Sequence, residues 1–129
     1  MFFGVIYVKF GEYIKSKRIK RNITQTKAAK MFGISLSYLS GIERGLRPAP
    51  ADDVVDKMAD VLELNRKGRY RLYDLAAESK QPPTLADDLV EYIYRYPMIR
   101  DMLRYSMECN MKETDWENVF DYVKKNYFY

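Results

Sequence analysis

The chain of 129 residues carries a net charge of +4, with 47% hydrophobic and 31% charged residues, which is typical of one folded domain or two small ones. It contains no histidine and one cysteine, which excludes histidine-based catalysis, histidine-ligated zinc, an internal disulfide and multi-cysteine metal sites. We therefore expect no enzymatic activity, no metal, no cofactor and a reducing, cytoplasmic location.

The charge is divided unevenly along the chain. Residues 1–47 contain ten Lys or Arg but only two acidic residues, Glu12 and Glu43, whereas residues 48–129 contain twelve basic and sixteen acidic residues. A basic front half favours binding to a polyanion such as nucleic acid. A basic surface that is only in contact with solvent would give the same distribution of charged residues, and it is the alternative interpretation.

The first eight residues are apolar, but they lack the basic start and the cleavage site of a signal peptide. They are also far shorter than the roughly 20 residues that a membrane span requires. We therefore expect neither secretion nor membrane insertion. A short strand, an arm that packs on a neighbour and an extension outside the folded protein all remain open for this segment.

Apolar residues recur at helical spacing from residue 9 onward, which predicts an all-α fold. In the first helix, Phe10, Ile14 and Ile19 are predicted to face inward. N-caps are predicted at Thr24, Ser35, Asn65 and Thr84. The predicted helices span 10–21, 25–32, 36–44, 51–63 and 66–79, and three more begin after residue 84, at residue 97 and at a capping box over 114–117.

The segment 25–44 meets the spatial requirements of a helix–turn–helix. Ala29 supplies a small residue where the two helices cross, and Gly33 tolerates the positive φ that the tight turn needs. The apolar residues that fill the angle between the helices are Ala28, Phe32, Ile34, Leu39 and Ile42. An ordinary α-helical hairpin without a role in nucleic-acid binding is the alternative interpretation.

Residues 10–77 resemble the DNA-binding domain of the Cro and phage-repressor (XRE-type) family of bacterial regulators. The matching stretches are KSKRIKRNITQTKAAKMFGIS, LSGIERGLRPAP and the two helices that follow. The resemblance implies a transcriptional regulator that binds double-stranded DNA as a homodimer, with the third helix in the major groove.

The resemblance also implies which residues contact DNA. Gln25 would clamp a phosphate, the start of the third helix would face the bases, and Arg44 and Arg47 would reach the backbone. For Tyr38, a phosphate ligand and a partly buried spacer both remain open. The candidate DNA-binding residues are Gln25, Lys27, Ser35, Leu36, Ser37, Tyr38, Ser40, Gly41, Arg44 and Arg47.

The exposed positions of the third helix depart from those of a strong base reader. Bidentate recognition uses Arg on guanine, or Asn or Gln on adenine. Leu36, Ser37, Ser40 and Gly41 offer no such group, although Leu36 can pack on a thymine methyl and the serines can each make a single hydrogen bond. More of the recognition is therefore expected from backbone contacts and DNA shape.

An ion pair between Arg18 and Glu43 is predicted inside the same domain. A carboxylate at the end of the third helix opposes the helix dipole and would repel phosphates, so Glu43 needs a compensating cation. The resembling family commonly pairs an arginine with a glutamate at these positions. We expect the pair to be at least partly buried; two separate surface charges are the alternative.

The predicted organisation is an apolar extension over 1–8, a helix–turn–helix domain over 9–80, a proline linker over 81–83 and a helical segment over 84–129. The last segment is rich in Tyr and Met, which favours a dimerisation or partner-binding surface over a packing extension. The pairs Asp52–Asp53 and Asp87–Asp88 are interpreted as residues of first helical turns rather than metal ligands. Two functions follow: a homodimeric DNA-binding repressor, or a protein-interaction regulator (an antitoxin or antagonist) whose C-terminal helices bind another protein.

Overall fold

The computed structural model describes residues 6–128, and every regular element within that range is an α-helix. The predicted all-α fold is confirmed, with five helices in the helix–turn–helix part and three after it. The helices are α1 (Ile6–Lys20), α2 (Gln25–Phe32), α3 (Leu36–Glu43), α4 (Asp52–Val61), α5 (Arg66–Glu78), α6 (Asp87–Arg95), α7 (Pro97–Glu108) and α8 (Glu113–Asn126).

Helix α1 begins four residues earlier than the sequence predicts. The backbone of residues 6–8 is helical, so the interpretation as a strand is wrong there, and the rest of the apolar extension lies outside the described residues. Phe10 and Ile14 are buried as predicted. Ile19 is 54% exposed, because five residues of helix rotate it about 140° away from Ile14.

The chain divides into two compact units between Asp87 and Asp88. In the first unit, α1 packs against α3 and α5, α2 packs against α3 and α4, and α4 packs against α5. Helix α1 lies close to α3 at Gly11, where a Cβ atom would lie only 2.1 Å from the carbonyl oxygen of Ile42 in α3. The largest fully buried side chains of this core are Phe10, Ile14, Phe32, Leu39, Ile42, Val55, Met58, Leu72 and Leu75.

The turn that follows α3 is fixed to the end of α5 by the buried hydroxyl of Ser79. This hydroxyl accepts a hydrogen bond from the Ala49 N–H at 2.9 Å and donates one to the Ala76 carbonyl at 2.7 Å. The Lys80 ammonium also donates to the carbonyls of Ala49 and Pro50. The backbone leaving α3 is therefore anchored on α5.

Two predicted N-caps are wrong. Thr84 does not cap α6, because its N–H and its hydroxyl both donate to the Ala77 carbonyl at the end of α5. The capping box of α8 lies two residues earlier than predicted, where the Asp115 carboxylate accepts the Lys112 N–H at 2.9 Å. By contrast, Asp52 and Asp53 occupy the first turn of α4, and Pro97 is the first residue of α7, both as predicted.

The second unit buries little apolar surface. Within residues 88–128, Ser106 is buried, whereas large apolar side chains of all three helices are exposed. None of the helices in the described part of the chain has the length and apolar character that a membrane crossing requires. The exposed side chains of this unit include Tyr92, Tyr94, Met98, Met102, Tyr105, Met107, Phe120, Tyr122, Tyr127 and Phe128.

Candidate nucleic-acid interface

Local hydrogen bonds set the ends of α2 and α3 where the sequence predicts them. The Thr24 hydroxyl accepts the Lys27 N–H at 3.2 Å, and the Ser35 hydroxyl accepts the Tyr38 N–H at 3.1 Å, so each caps a helix N-terminus. Gly33 ends α2 with φ 75° and ψ 30°, the left-handed conformation that glycine adopts without steric cost. A short connection therefore joins α2 to α3, the second helix of the pair.

The angle between α2 and α3 is filled by the apolar residues that the sequence predicts. Ala28, Ala29 and Phe32 of α2 are buried, and so are Leu39 and Ile42 of α3. Packing on this inner side leaves Leu36 and Ser37 of α3 exposed and Ser40 half-buried. The helix pair therefore has one face in the core and one face available to a partner.

Most candidate DNA-binding residues lie on the accessible side of this pair. Gln25, Tyr38 and Ser40 are half-buried. Gly41 is buried, contrary to the predicted exposed position, because the Arg47 side chain covers it. The exposed members are Lys27, Ser35, Leu36, Ser37, Arg44 and Arg47.

The Arg47 side chain extends back over α3. Gly45 has φ 75°, and the Leu46 N–H donates to the Gly41 carbonyl at 2.9 Å, so the chain turns back after α3. The Arg47 guanidinium carbon lies 5.4 Å from the centroid of the Tyr38 ring, within the range of a cation–π contact. The half-burial of Tyr38 agrees with its interpretation as a partly buried spacer. Its ring lies under the Arg47 guanidinium.

Arg18 and Glu43 form the predicted ion pair in a bidentate arrangement. Arg18 donates from Nε to Glu43 Oε2 at 2.8 Å and from Nη2 to Oε1 at 2.9 Å. The two side chains are only 11% and 2% exposed, respectively. Hydrogen bonding to Glu43 raises the pKa of Arg18 above its ordinary value.

The ion pair joins three helices. Gln25 Nε2 of α2 donates to Glu43 Oε1 at 3.2 Å, and Arg18 Nη1 donates to the Ile23 carbonyl at 2.9 Å in the connection between α1 and α2. The only acidic residue of α2 and α3 is therefore neutralised and withdrawn from the accessible face, where basic side chains remain.

Two features of this region are not apparent in the sequence. The contact between Gly11 and the Ile42 carbonyl fixes the distance between α1 and α3. The Tyr13 hydroxyl donates to the Gly68 carbonyl at 2.9 Å, which joins α1 to α5. A glycine within an otherwise regular helical pattern is the only sequence signal for the first of these contacts.

Comparisons with known proteins find similarity in this part of the chain. The model of the helix-turn-helix family matches residues 14–67. The ImmF control region 10 kDa protein of Bacillus phage phi105 is 39% identical over 57 residues, which are 44% of this chain and 62% of that protein. An uncharacterised HTH-type transcriptional regulator of Mycobacterium tuberculosis is 35% identical over 60 residues, 46% of this chain and 42% of that protein.

This chain thus spans less than two thirds of the length of either relative. Among solved structures, a SinR protein/SinI protein complex aligns with 89% of this chain and 94% of that one, at 23% identity and a TM-score of 0.46. The family match includes both α2 and α3. Residues 14–67 are therefore similar to the helix-turn-helix family, whose model they match.

Proposed function

We propose that this chain is a sequence-specific transcriptional regulator that binds double-stranded DNA with α3 in the major groove. The observation that carries the proposal is the accessible face of α2 and α3, which keeps its basic side chains while Glu43, its only carboxylate, is buried against Arg18. An accessible helix beside exposed cations is the arrangement that a helix–turn–helix uses on a duplex.

The roles of individual residues follow from their positions. Leu36, Ser37 and Ser40 face the bases, where they make one apolar contact and single hydrogen bonds. Lys27 and Arg44 neutralise phosphates, and Gln25 contacts a phosphate through its backbone and side chain at the start of α2. The Gln25 amide nitrogen carries two N–H groups, so one can donate to a phosphate while the other stays on Glu43 Oε1.

The affinity for DNA should fall steeply with salt concentration. Each phosphate neutralised by a Lys or Arg contributes about −0.9 to the slope of log K against log salt. Titrations of the full chain against a duplex at several salt concentrations measure this slope. The variant Lys27→Gln should lower its magnitude by about one contact, whereas the matched control Lys125→Gln, on α8 outside the domain, should leave it unchanged.

A flat salt dependence of the full chain would contradict the proposal, because the basic residues of the first 47 positions would then only solvate the fold.

We further propose that the regulator is a homodimer held together by residues 88–128 and that it acts as a repressor by occupying its operator. Support for the dimer comes from the apolar side chains that this unit leaves exposed on α6, α7 and α8. Three short helices that bury so little are only marginally stable alone in water, and Met and aromatic residues are enriched at protein interfaces. A second copy of the same unit would cover these side chains.

Ending the chain after Asp87 should leave a folded monomer that binds its operator much more weakly than the full chain. In a two-fold dimer the two α3 helices would lie about 34 Å apart, so that both half-sites bind together. Sedimentation equilibrium measures the dimer, and titration with a palindromic duplex measures the binding. The variant Phe120→Asp should weaken the dimer similarly, because it places a charge among the apolar side chains of the proposed interface. Since the Phe120 side chain is 62% exposed, its loss leaves no cavity in the fold.

An unchanged dimer after truncation would place the interface in the first unit instead. A full chain that is monomeric until a different protein binds residues 88–128 would favour the second candidate function, in which this unit binds a protein partner as an antitoxin or antagonist does.

A further inference from the structure

The exposed surface of α3 lacks a group for bidentate base recognition, but the structure places one there from outside the helix. A methyl group on Gly41 would lie 3.3 Å from Arg47 Cδ and 3.4 Å from Arg47 Nε. The Arg47 side chain therefore occupies the space into which a side chain at position 41 would project. Because residues four apart share a face of a helix, this space adjoins exposed Ser37.

The Arg47 guanidinium is also held in place. Its carbon lies 5.4 Å from the centroid of the Tyr38 ring, so the cation–π contact restricts a side chain that is otherwise long and flexible. The backbone that carries Arg47 is fixed as well, since the neighbouring turn is anchored through Ala49 to Ser79. Glycine at position 41 leaves room for the guanidinium to lie against the helix surface.

We infer that Arg47 reads a guanine in the major groove, positioned by Gly41 and Tyr38, rather than only neutralising a phosphate. The inference rests on the proposed function. A guanidinium matches the O6 and N7 acceptors of guanine with two parallel hydrogen bonds, and this is the commonest base-specific contact in protein–DNA complexes. Arg47 thus supplies the fork that Leu36, Ser37 and Ser40 lack.

The test is selection of double-stranded DNA from a random pool by the full chain and by three variants. The full chain should enrich a motif with a fixed guanine in each half-site. Arg47→Lys keeps the charge but loses the fork, so discrimination at that guanine should fall on the order of tenfold, while preferences at other positions persist. Lys27→Gln, the matched control, should weaken binding to all sequences equally.

Two further measurements distinguish recognition of the guanine base by Arg47 from electrostatic attraction of Arg47 to the phosphates. Gly41→Ala should relax the same guanine position although Arg47 is retained, because the new methyl would lie 3.3 Å from Arg47 Cδ and push this flexible side chain a few tenths of an ångström off the helix. Replacing that guanine with 7-deazaguanine should weaken binding by the full chain but not by Arg47→Lys. Circular dichroism confirms that each variant is folded.

Two results would overturn the inference. Arg47→Lys with a reduced affinity for every sequence and an intact guanine preference would make Arg47 a phosphate contact and leave the proposed function standing. A pool that the full chain does not enrich at all would remove the proposed function, and this inference with it.

Discussion

Replacing Gly11 with alanine should lower the free energy of unfolding of the first unit by about 3 kcal/mol or more. At an exposed helix position the same change is favourable by about 1 kcal/mol, since alanine is the better helix former. Here the new Cβ would lie 2.1 Å from the Ile42 carbonyl oxygen and 3.2 Å from the Glu43 Cα. Both atoms are backbone, so the clash is relieved only if α1 and α3 move apart.

Urea unfolding of the full chain followed by far-ultraviolet circular dichroism measures this loss. The fluorescence of Trp116 reports on α8 instead, so hydrogen exchange of amides in α1 and α3 is the better local probe. Gly41→Ala is the matched control: its Cβ meets only the flexible Arg47 side chain, and we expect its stability to stay within about 1 kcal/mol of that of the unmodified chain. A Gly11→Ala variant at least as stable as the unmodified chain would contradict the close contact.

Features that depend on neighbours in sequence could be predicted. The ends of α2 and α3 follow from Thr24, Ser35 and Gly33, whose side chains or conformations act within three residues. Burial of Phe10 and Ile14 follows from their helical spacing of four. These signals are local, so they survive in the folded protein.

Contacts between distant segments could not be predicted in the same way. That Gly11 touches α3, and that Arg47 covers Gly41, depend on how helices approach after the chain has turned. For Thr84 a local signal gives the wrong prediction. Threonine is a common N-cap residue, but the N–H and hydroxyl of Thr84 instead donate to the Ala77 carbonyl at the end of α5. Helical spacing likewise marks an apolar stripe on α6 without indicating what covers it.

Replacing Glu43 with glutamine should destabilise the first unit by about 3–5 kcal/mol, because the Arg18 guanidinium would be left with most of its surface buried and no carboxylate to balance it. The two short hydrogen bonds to Glu43 are charge-assisted, and a neutral amide replaces at most one of them, more weakly. Glu63→Gln is the matched control. Its carboxylate also pairs with an arginine, Arg21, but is 65% exposed, so its loss should cost about 0–1 kcal/mol.

A double variant, Arg18→Met with Glu43→Met, separates the cost of the stranded charge from the value of the pair. Apolar replacements of similar volume commonly equal or exceed a buried ion pair in stability. The double variant should therefore recover most of the loss seen in Glu43→Gln, as measured by urea unfolding of all four proteins. Equal, small changes in Glu43→Gln and Glu63→Gln would mean that solvent screens the Arg18–Glu43 pair despite its burial. In that case packing between α1 and α3, including the close contact at Gly11, would hold α3 in place without help from the charges.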